Sequence, residues 1–258
     1  MLKFLQTIGR VFLAFLNATG AFFLFAVTSV SHCFRPPFFF RQWGRQFFEI
    51  GYLSLPVVGL TAIFTGMVLA LQSYTGFSRF SAESSIATVV VLSMTRELGP
   101  VLAGLMVAGR IGASIAAEIG TMRVTEQIDA LTTLSTNPFK YLIAPRLWAG
   151  VIVLPLLVLT ADAIGVFGGY LVATYKLGFN GAIYINQTFT YLKAEDVNSG
   201  LIKAAVFGFI ITLSGCYAGF NSKGGAQGVG AATTSAVVSA SILILICNYL
   251  LTAILFGT

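Results

Sequence analysis

Apolar residues run along this chain in blocks long enough to cross a bilayer, separated by short polar stretches. Blocks over about 52–71, 86–117, 147–174, 201–220 and 229–256 each supply the ~20 apolar residues that a transmembrane helix needs. None alternates with period two, so the pattern predicts helices and not a barrel. The block 86–117 is too long for a simple crossing and predicts a helix that is tilted, broken at Pro100, or protruding. The expected fold is an all-α integral membrane protein: an amino-terminal interfacial helical segment over 1–48, then a domain over 49–258 with five transmembrane helices and a short polar helix over about 118–131.

The first 48 residues are ambiguous in pattern. Lys3 and Arg10 followed by VFLAFLNATGAFFLFAV have the layout of a signal peptide, but VTSVSHCF offers no small-residue cleavage site. The next stretch interleaves Arg35, Arg41 and Arg45 with Phe38, Phe39, Phe40, Trp43 and Phe47, a mixture that favours the headgroup layer. Interfacial helices broken at Pro36 and Pro37 are the expected arrangement, with a cleaved signal as the alternative.

Composition agrees with membrane residence. Hydrophobic residues make up 57% of the 258 and charged residues only 9%, with a mean hydropathy of +0.88; soluble domains carry about 25% charged residues. The net charge of +6 comes without any Lys/Arg run, so nucleic-acid binding is not predicted. Its distribution is more telling. If the interfacial segment, the polar stretch 118–131 and the loop NSKGGAQG share one side, that side collects Lys3, Arg10, Arg35, Arg41, Arg45, Arg110, Arg123, Lys140, Arg146 and Lys223, against Arg79, Lys176 and Lys193 on the other. The positive-inside rule then places the polar stretch in the cytoplasm and the carboxyl terminus outside. Cys33, Cys216 and Cys247 lie far apart in apolar surroundings with His32 as the sole histidine, so neither a metal site nor a disulfide is expected.

The polar stretch itself, EIGTMRVTEQIDAL, concentrates charge in a charge-poor chain. On an ideal helix Glu118, Glu126 and Asp129 share one acidic quadrant with Met122 between them, while Val124, Ile128 and Leu131 face the other way. Gly120 predicts a later helix start. Upstream, Gly104, Ala108, Gly112, Ala116 and Gly120 form one row of small residues and Gly109, Ala113 and Ala117 a second; such rows serve internal helix packing or a subunit interface.

Intramembrane charge is costly and marks either a polar cavity or a structural ion pair. Glu97, with Arg96 or Lys203, is the candidate in the outer half of the spans, and Asp162 is read as structural. NSKGGAQGVGAATT contains glycines in a phosphate-loop-like spacing, but Lys223 precedes them and no strand does, so a turn is expected there. No nucleophile–base–orienter set appears, and an enzyme is not predicted.

RELGPVLAGLMVAGRIGASIAAEIGTMRVTEQIDAL, NPFKYLIAPRLWAGVIVLPLL and GVGAATTSAVV together resemble the MlaE-type permeases of phospholipid ABC transport systems, over nearly all of the chain from about residue 45. The resemblance implies a homodimeric permease core in the bacterial inner membrane. Its implied partners are a pair of cytoplasmic ATPases, a STAS-domain accessory protein and a periplasmic hexamer of MCE-domain subunits. ATP and Mg would be used by the ATPases, with no cofactor bound by this chain. The implied activity is phospholipid movement between the inner membrane and periplasmic carriers, maintaining outer-membrane lipid asymmetry. Carried onto matching positions, the stretch 118–131 is the coupling helix, with Glu118, Met122, Arg123, Glu126, Gln127 and Asp129 at the ATPase contact. Leu69, Tyr74, Phe77, Phe80, Glu97 and Leu98 would line the lipid cavity, with Arg96 or Lys203 meeting a lipid phosphate.

Two other classes compete. A secondary transporter or channel would use Glu97, Asp162 and Lys203 as an ion relay, although an odd number of spans and no inverted repeat argue against it. A scaffold that anchors MCE proteins is the third.

Overall fold

The structure is a computed structural model that describes residues 2–37, 39–78 and 85–256, and every regular element among them is helical. Helix α1 (Leu2–Cys33) and α2 (Phe40–Ile50) are separated at Pro36 and Pro37, where the missing N–H of each proline leaves a helix no ladder to continue. A turn of 3₁₀ helix leads into α3 (Leu55–Phe77). A continuous helical path then runs from Ile86 to Val124 as α4 (Ile86–Ser93), α5 (Gly99–Val107) and α6 (Ala113–Val124), joined by single π-helical turns over Met94–Leu98 and Ala108–Gly112. The short α7 (Gln127–Thr133) precedes the long α8 (Ala144–Leu171). The chain finishes with α9 (Gly181–Tyr191), α10 (Ala194–Phe220) and α11 (Gly225–Phe256).

Six helical stretches are long and apolar enough to cross a membrane, one more than the five spans expected, because Phe12–Cys33 within α1 also qualifies. The contacts of α1 fall at one end of the bundle. Phe22 and Phe25 meet Tyr217, Phe25 also meets Phe139 and Phe220, and Phe34, just past the end of α1, meets Trp148.

Helices α8 and α10 form the centre, with α3 on the far side of α8 and α5, α6 and α11 around α10. Lipid tails are as apolar as leucine, so burial does not drive these helices together as it would in water; close packing does. Glycine sets the distance at two crossings. A Cβ on Gly66 of α3 would overlap the backbone of Gly165 in α8, and a Cβ on Gly150 of α8 would stand 2.6 Å from the Gly208 carbonyl of α10. The outer surface is the converse: Leu60, Phe64 and Val68 of α3, Leu156 and Phe167 of α8, and Ile242, Leu245 and Tyr249 of α11 are exposed apolar side chains, as a lipid-facing surface requires. Only Ala232, Ala236, Ala240 and Ile244 of α11 are buried, one residue per turn.

The row Gly104, Gly112 and Gly120 is consumed by internal packing: Gly104 faces Phe207 and Ile244, Gly112 faces Ile211, and Gly120 faces Ser222 and Val229. Gly109 of the second row faces open space.

Several boundaries differ from the apolar pattern. Gly120 does not delay a helix; α6 passes through it to Val124, and the glycine packs against Ser222 and Val229 at the α10–α11 turn. The single helix expected over 118–131 is divided at Thr125–Glu126, where Glu126 takes a left-handed φ of 61° before α7 begins. The span expected from 201 begins at Ala194, because Glu195 and Asp196 favour a helix amino terminus despite their polarity. Pro100 does not break its helix, for a reason that belongs to the site.

Candidate functional site

Pro100 lacks the N–H that would bond the Arg96 carbonyl one turn earlier. The preceding π turn absorbs the disturbance, with Gly99 N–H donating to Met94 O. The orphaned Arg96 carbonyl is taken by a side chain instead: Lys203 Nζ of α10 donates to it at 2.8 Å. The same amine lies 2.6 Å from Glu97 Oε1. Lys203 is 0% exposed. The Glu97 carboxylate also accepts Thr252 Oγ1 at 2.9 Å on Oε1 and Asn248 Nδ2 at 2.9 Å on Oε2. A charge inside a membrane is tolerable when every lone pair and proton is engaged, and this carboxylate approaches that condition.

Arg96 points to a second carboxylate. Its Nε and Nη2 lie 2.7 and 2.6 Å from Asp196 Oδ1, and its guanidinium carbon stands 4.6 Å from the centroid of Phe256. Asp196 is buried and its other oxygen accepts the Lys193 backbone N–H at the start of α10. Arg96 is the more accessible cation of the two, its side chain 38% exposed. The structure thus joins Arg96, Glu97 and Lys203 in one cluster, and adds Asp196, Asn248 and Thr252, which sequence reasoning missed. The signal for two of them was present: Asn248 and Thr252 are polar residues four apart on an otherwise apolar helix, hence on one face. Asp196 was hidden by the assumption that a loop ran through it.

Leu69, Tyr74 and Phe77 lie half-buried on the last turns of α3, with Tyr74 edge-on to Phe179 at 5.9 Å. Leu98 is half-buried against the core, beside Met94, Gly99 and Leu102. Phe80 lies outside the described residues. Asp162 does not join Glu97 and Lys203; its carboxyl packs against Gly99 and makes no hydrogen bond among the described residues.

At the opposite end of the bundle the charges of 118–131 are largely paired with protein. Glu118 Oε2 lies 2.7 Å from Nη2 of Arg146, a residue only 3% exposed, whose Nη1 also donates to the Leu142 carbonyl at 2.6 Å. Arg123 Nη1 lies 2.7 Å from Asp129 Oδ1 across the α6–α7 turn. Met122 is half-buried and Ile128 fully buried, which pins α7 to the bundle. Glu126 and Gln127 are exposed at the tip of the turn. Nearby, Arg110 Nη1 donates to Ser54 Oγ at 2.8 Å and to the Glu49 carbonyl at 3.2 Å, tying the middle of the long helical path to the end of α2. The α10–α11 turn carries Gly224 and Gly225 at φ of 89° and 67°, values glycine adopts without penalty.

The family model described as Permease MlaE matches residues 43–254. A probable ABC transporter permease protein of Rickettsia felis is 62% identical over 256 residues, covering 99% of each chain. The intermembrane phospholipid transport system permease protein MlaE of Haemophilus influenzae is 36% identical over 260 residues, covering 100% of this chain and 99% of its own. The chloroplastic protein TRIGALACTOSYLDIACYLGLYCEROL 1 of Arabidopsis thaliana is 39% identical over 216 residues, 84% of this chain and 62% of its own.

Proposed function

The chain belongs to the MlaE permease family, and from that premise we propose that it is the membrane-spanning permease of an ABC transporter that moves phospholipids. The observation that carries this reading is the family match across residues 43–254. The geometry supplies parts that suit it. A phospholipid needs apolar walls for its chains and a few fixed polar groups for its head. The half-buried Leu69, Tyr74, Phe77 and Leu98 offer the first, and the part-exposed Arg96 beside the Glu97–Lys203 pair offers the second.

The chain works as a homodimer, and the open second row of small residues at Gly109 is a surface on which another helix can approach closely. It sits in a bacterial inner membrane with the 125–126 turn in the cytoplasm and the carboxyl terminus in the periplasm. ATP and Mg are bound by a separate pair of ATPase subunits, which meet this chain at Glu126 and Gln127. A STAS-domain protein on the ATPases and a periplasmic hexamer of MCE-domain subunits complete the assembly, whose work maintains the lipid asymmetry of the outer membrane. The mechanical link is the helical path from Ile86 to Val124, which carries the ATPase contact at one end and Glu97 near the other. Movement of the turn as the ATPases close is transmitted along this path to the polar cluster.

Transfer of headgroup-labelled phospholipid from proteoliposomes tests the reading. Transfer that requires ATP and the co-purified ATPase supports it. A native complex without an ATPase, or transfer that proceeds equally without ATP, overturns it and favours a secondary transporter or a scaffold.

A further inference from the structure

A cavity of about 340 Å³ lies between α2 and α6, within the ~300–1,000 Å³ range of small-ligand sites. Arg45, Gln46 and Glu49 line it from α2, Arg110 from the π turn over Ala108–Gly112, and Ile115 and Glu118 from α6.

The arginines around this cavity differ in how they are held. Arg45 pairs with Glu49 at 2.8 Å, and Arg146 pairs with Glu118 at 2.7 Å. Arg96 and Arg123 are paired as closely with Asp196 and Asp129. Arg110 makes no ion pair among the described residues. Its Nη1 is engaged by two neutral acceptors, Ser54 Oγ at 2.8 Å and the Glu49 carbonyl at 3.2 Å. Ser54 is buried and the carbonyl belongs to the end of α2, so the guanidinium is fixed in place. Its Nε and Nη2 make no hydrogen bond among the described residues, and neither is shut away from the surface. Those two nitrogens form the side of a guanidinium that grips an oxyanion with parallel N–H donors, and Arg96 turns the same side to Asp196.

The carboxylates in the wall are committed elsewhere. Glu49 Oε1 accepts from Arg45 and its Oε2 from Gln46 Nε2 at 3.4 Å, while Glu118 neutralises Arg146. With Arg45, Arg110 and Arg146 set against Glu49 and Glu118, one positive charge is left over, and it stands on Arg110. A carboxylate carries the single charge that balances it, whereas a phosphate monoester carries about −1.5 to −2. The apolar part of the wall is short, formed by Ile115 with Ile50 and Leu53, which suits a compact body and not a pair of acyl chains.

We propose that the α2–α6 cavity binds a small soluble monocarboxylate, its two oxygens on Arg110 Nε and Nη2 and its body against Leu53 and Ile115. Fixing the guanidinium through Nη1 removes most of the ordering cost of such a contact.

The test uses the full chain, with its co-purifying partners, in nanodiscs of phosphatidylcholine, and 4-(trifluoromethyl)benzoate followed by ¹⁹F NMR against empty nanodiscs. Saturable binding is expected, weakened roughly tenfold or more for the neutral 4-(trifluoromethyl)benzamide. A similar loss is expected in Arg110→Lys, which keeps the charge and removes the paired donors. Leu53→Trp, which fills the cavity and leaves Arg110 in place, is expected to abolish binding while the melting temperature stays within a few degrees of wild type. No saturable binding, equal binding of the amide, or undiminished binding in Arg110→Lys overturns the proposal. Replacing part of the lipid with phosphatidylglycerol should leave the bound fraction unchanged, relative to empty nanodiscs of the same lipid; displacement would give the site to a lipid head and overturn the soluble ligand. Should Arg110→Lys fail to fold, undiminished binding in Leu53→Trp overturns the proposal equally.

Discussion

Lys203 Nζ and Glu97 Oε1 lie 2.6 Å apart between α10 and the π turn before α5, with the lysine wholly buried and the glutamate carboxylate held by three donors. The pair cannot lose one member cheaply. Lys203→Met is expected to lower stability by roughly 3–5 kcal/mol, since it strands a carboxylate and the Arg96 carbonyl together. Lys203→Met combined with Glu97→Gln should recover part of that loss. Thermal unfolding of the four proteins in one detergent closes the double-mutant cycle, and additive losses would show that the two residues do not act as a pair.

Glu118 and Glu126 are both acidic and stand about two helical turns apart, so the sequence pattern would treat them alike, but they do different work. Glu118 neutralises the buried Arg146, so Glu118→Ala is expected to destabilise the chain by about 1–3 kcal/mol. Among the described residues the Glu126 side chain makes no hydrogen bond or ion pair, so Glu126→Lys should leave the melting temperature near wild type and abolish ATPase co-purification. Retained ATPase in that variant would remove Glu126 from the docking surface.

The left-handed backbone at Glu126 gives a companion variant. Glu126→Gly relieves a non-glycine residue of a conformation that costs it about 1 kcal/mol, so it should raise or preserve stability. It should still weaken ATPase docking, because the side chain is gone. A stability loss would mean that the Glu126 side chain anchors the turn.

Gly150→Val places a branched side chain where the Gly208 carbonyl and Thr212 of α10 already stand at 2.5–2.9 Å. The cost should reach or exceed the upper end of the ~1–3 kcal/mol typical of overpacking. Gly109→Ala, which faces open space within one chain, should leave the isolated subunit's fold intact and disturb only association. Size-exclusion chromatography with unfolding curves separates the two effects.

Burial pushes the Tyr184 phenol from its ordinary value of 10 up to about 12. The folded state therefore holds its proton over a range in which the unfolded chain releases it. Stability from this group is unaffected below pH 10 and falls as pH rises from 10 toward 12. Tyr184→Phe should flatten that part of the decline; an identical slope in the variant would show that the ring is not desolvated.

How far the sequence could be read follows from which physical rule governs each part. Long apolar blocks locate helices, since a bilayer allows a backbone few other solutions, and the spans around Val58, Val153, Phe207 and Ile244 fall where the pattern puts them. Ends depend on local competition instead. The start of α10 at Ala194 and the turn at Glu126 answer to helix-terminus electrostatics and a backbone left-handed conformation, neither of which is visible in hydropathy. The polar cluster was half legible. Arg96, Glu97 and Lys203 are conspicuous in apolar surroundings, whereas their mutual arrangement depends on how α10 and α11 cross the Ile86–Val124 path. Likewise, Glu118 looked available because its partner, Arg146, lies 28 positions away at the start of α8.

Pro100 is an imino acid in the middle of a membrane helix, and its effect extends to another helix. Alanine at that position would supply an amide hydrogen competing for the Arg96 oxygen, and the Lys203 amine would then be held by the Glu97 carboxylate alone. By withholding a donor, the proline fixes the depth at which the ammonium group stands in the bilayer, so a gap in one helix's backbone ladder sets the vertical address of a charge carried by its neighbour.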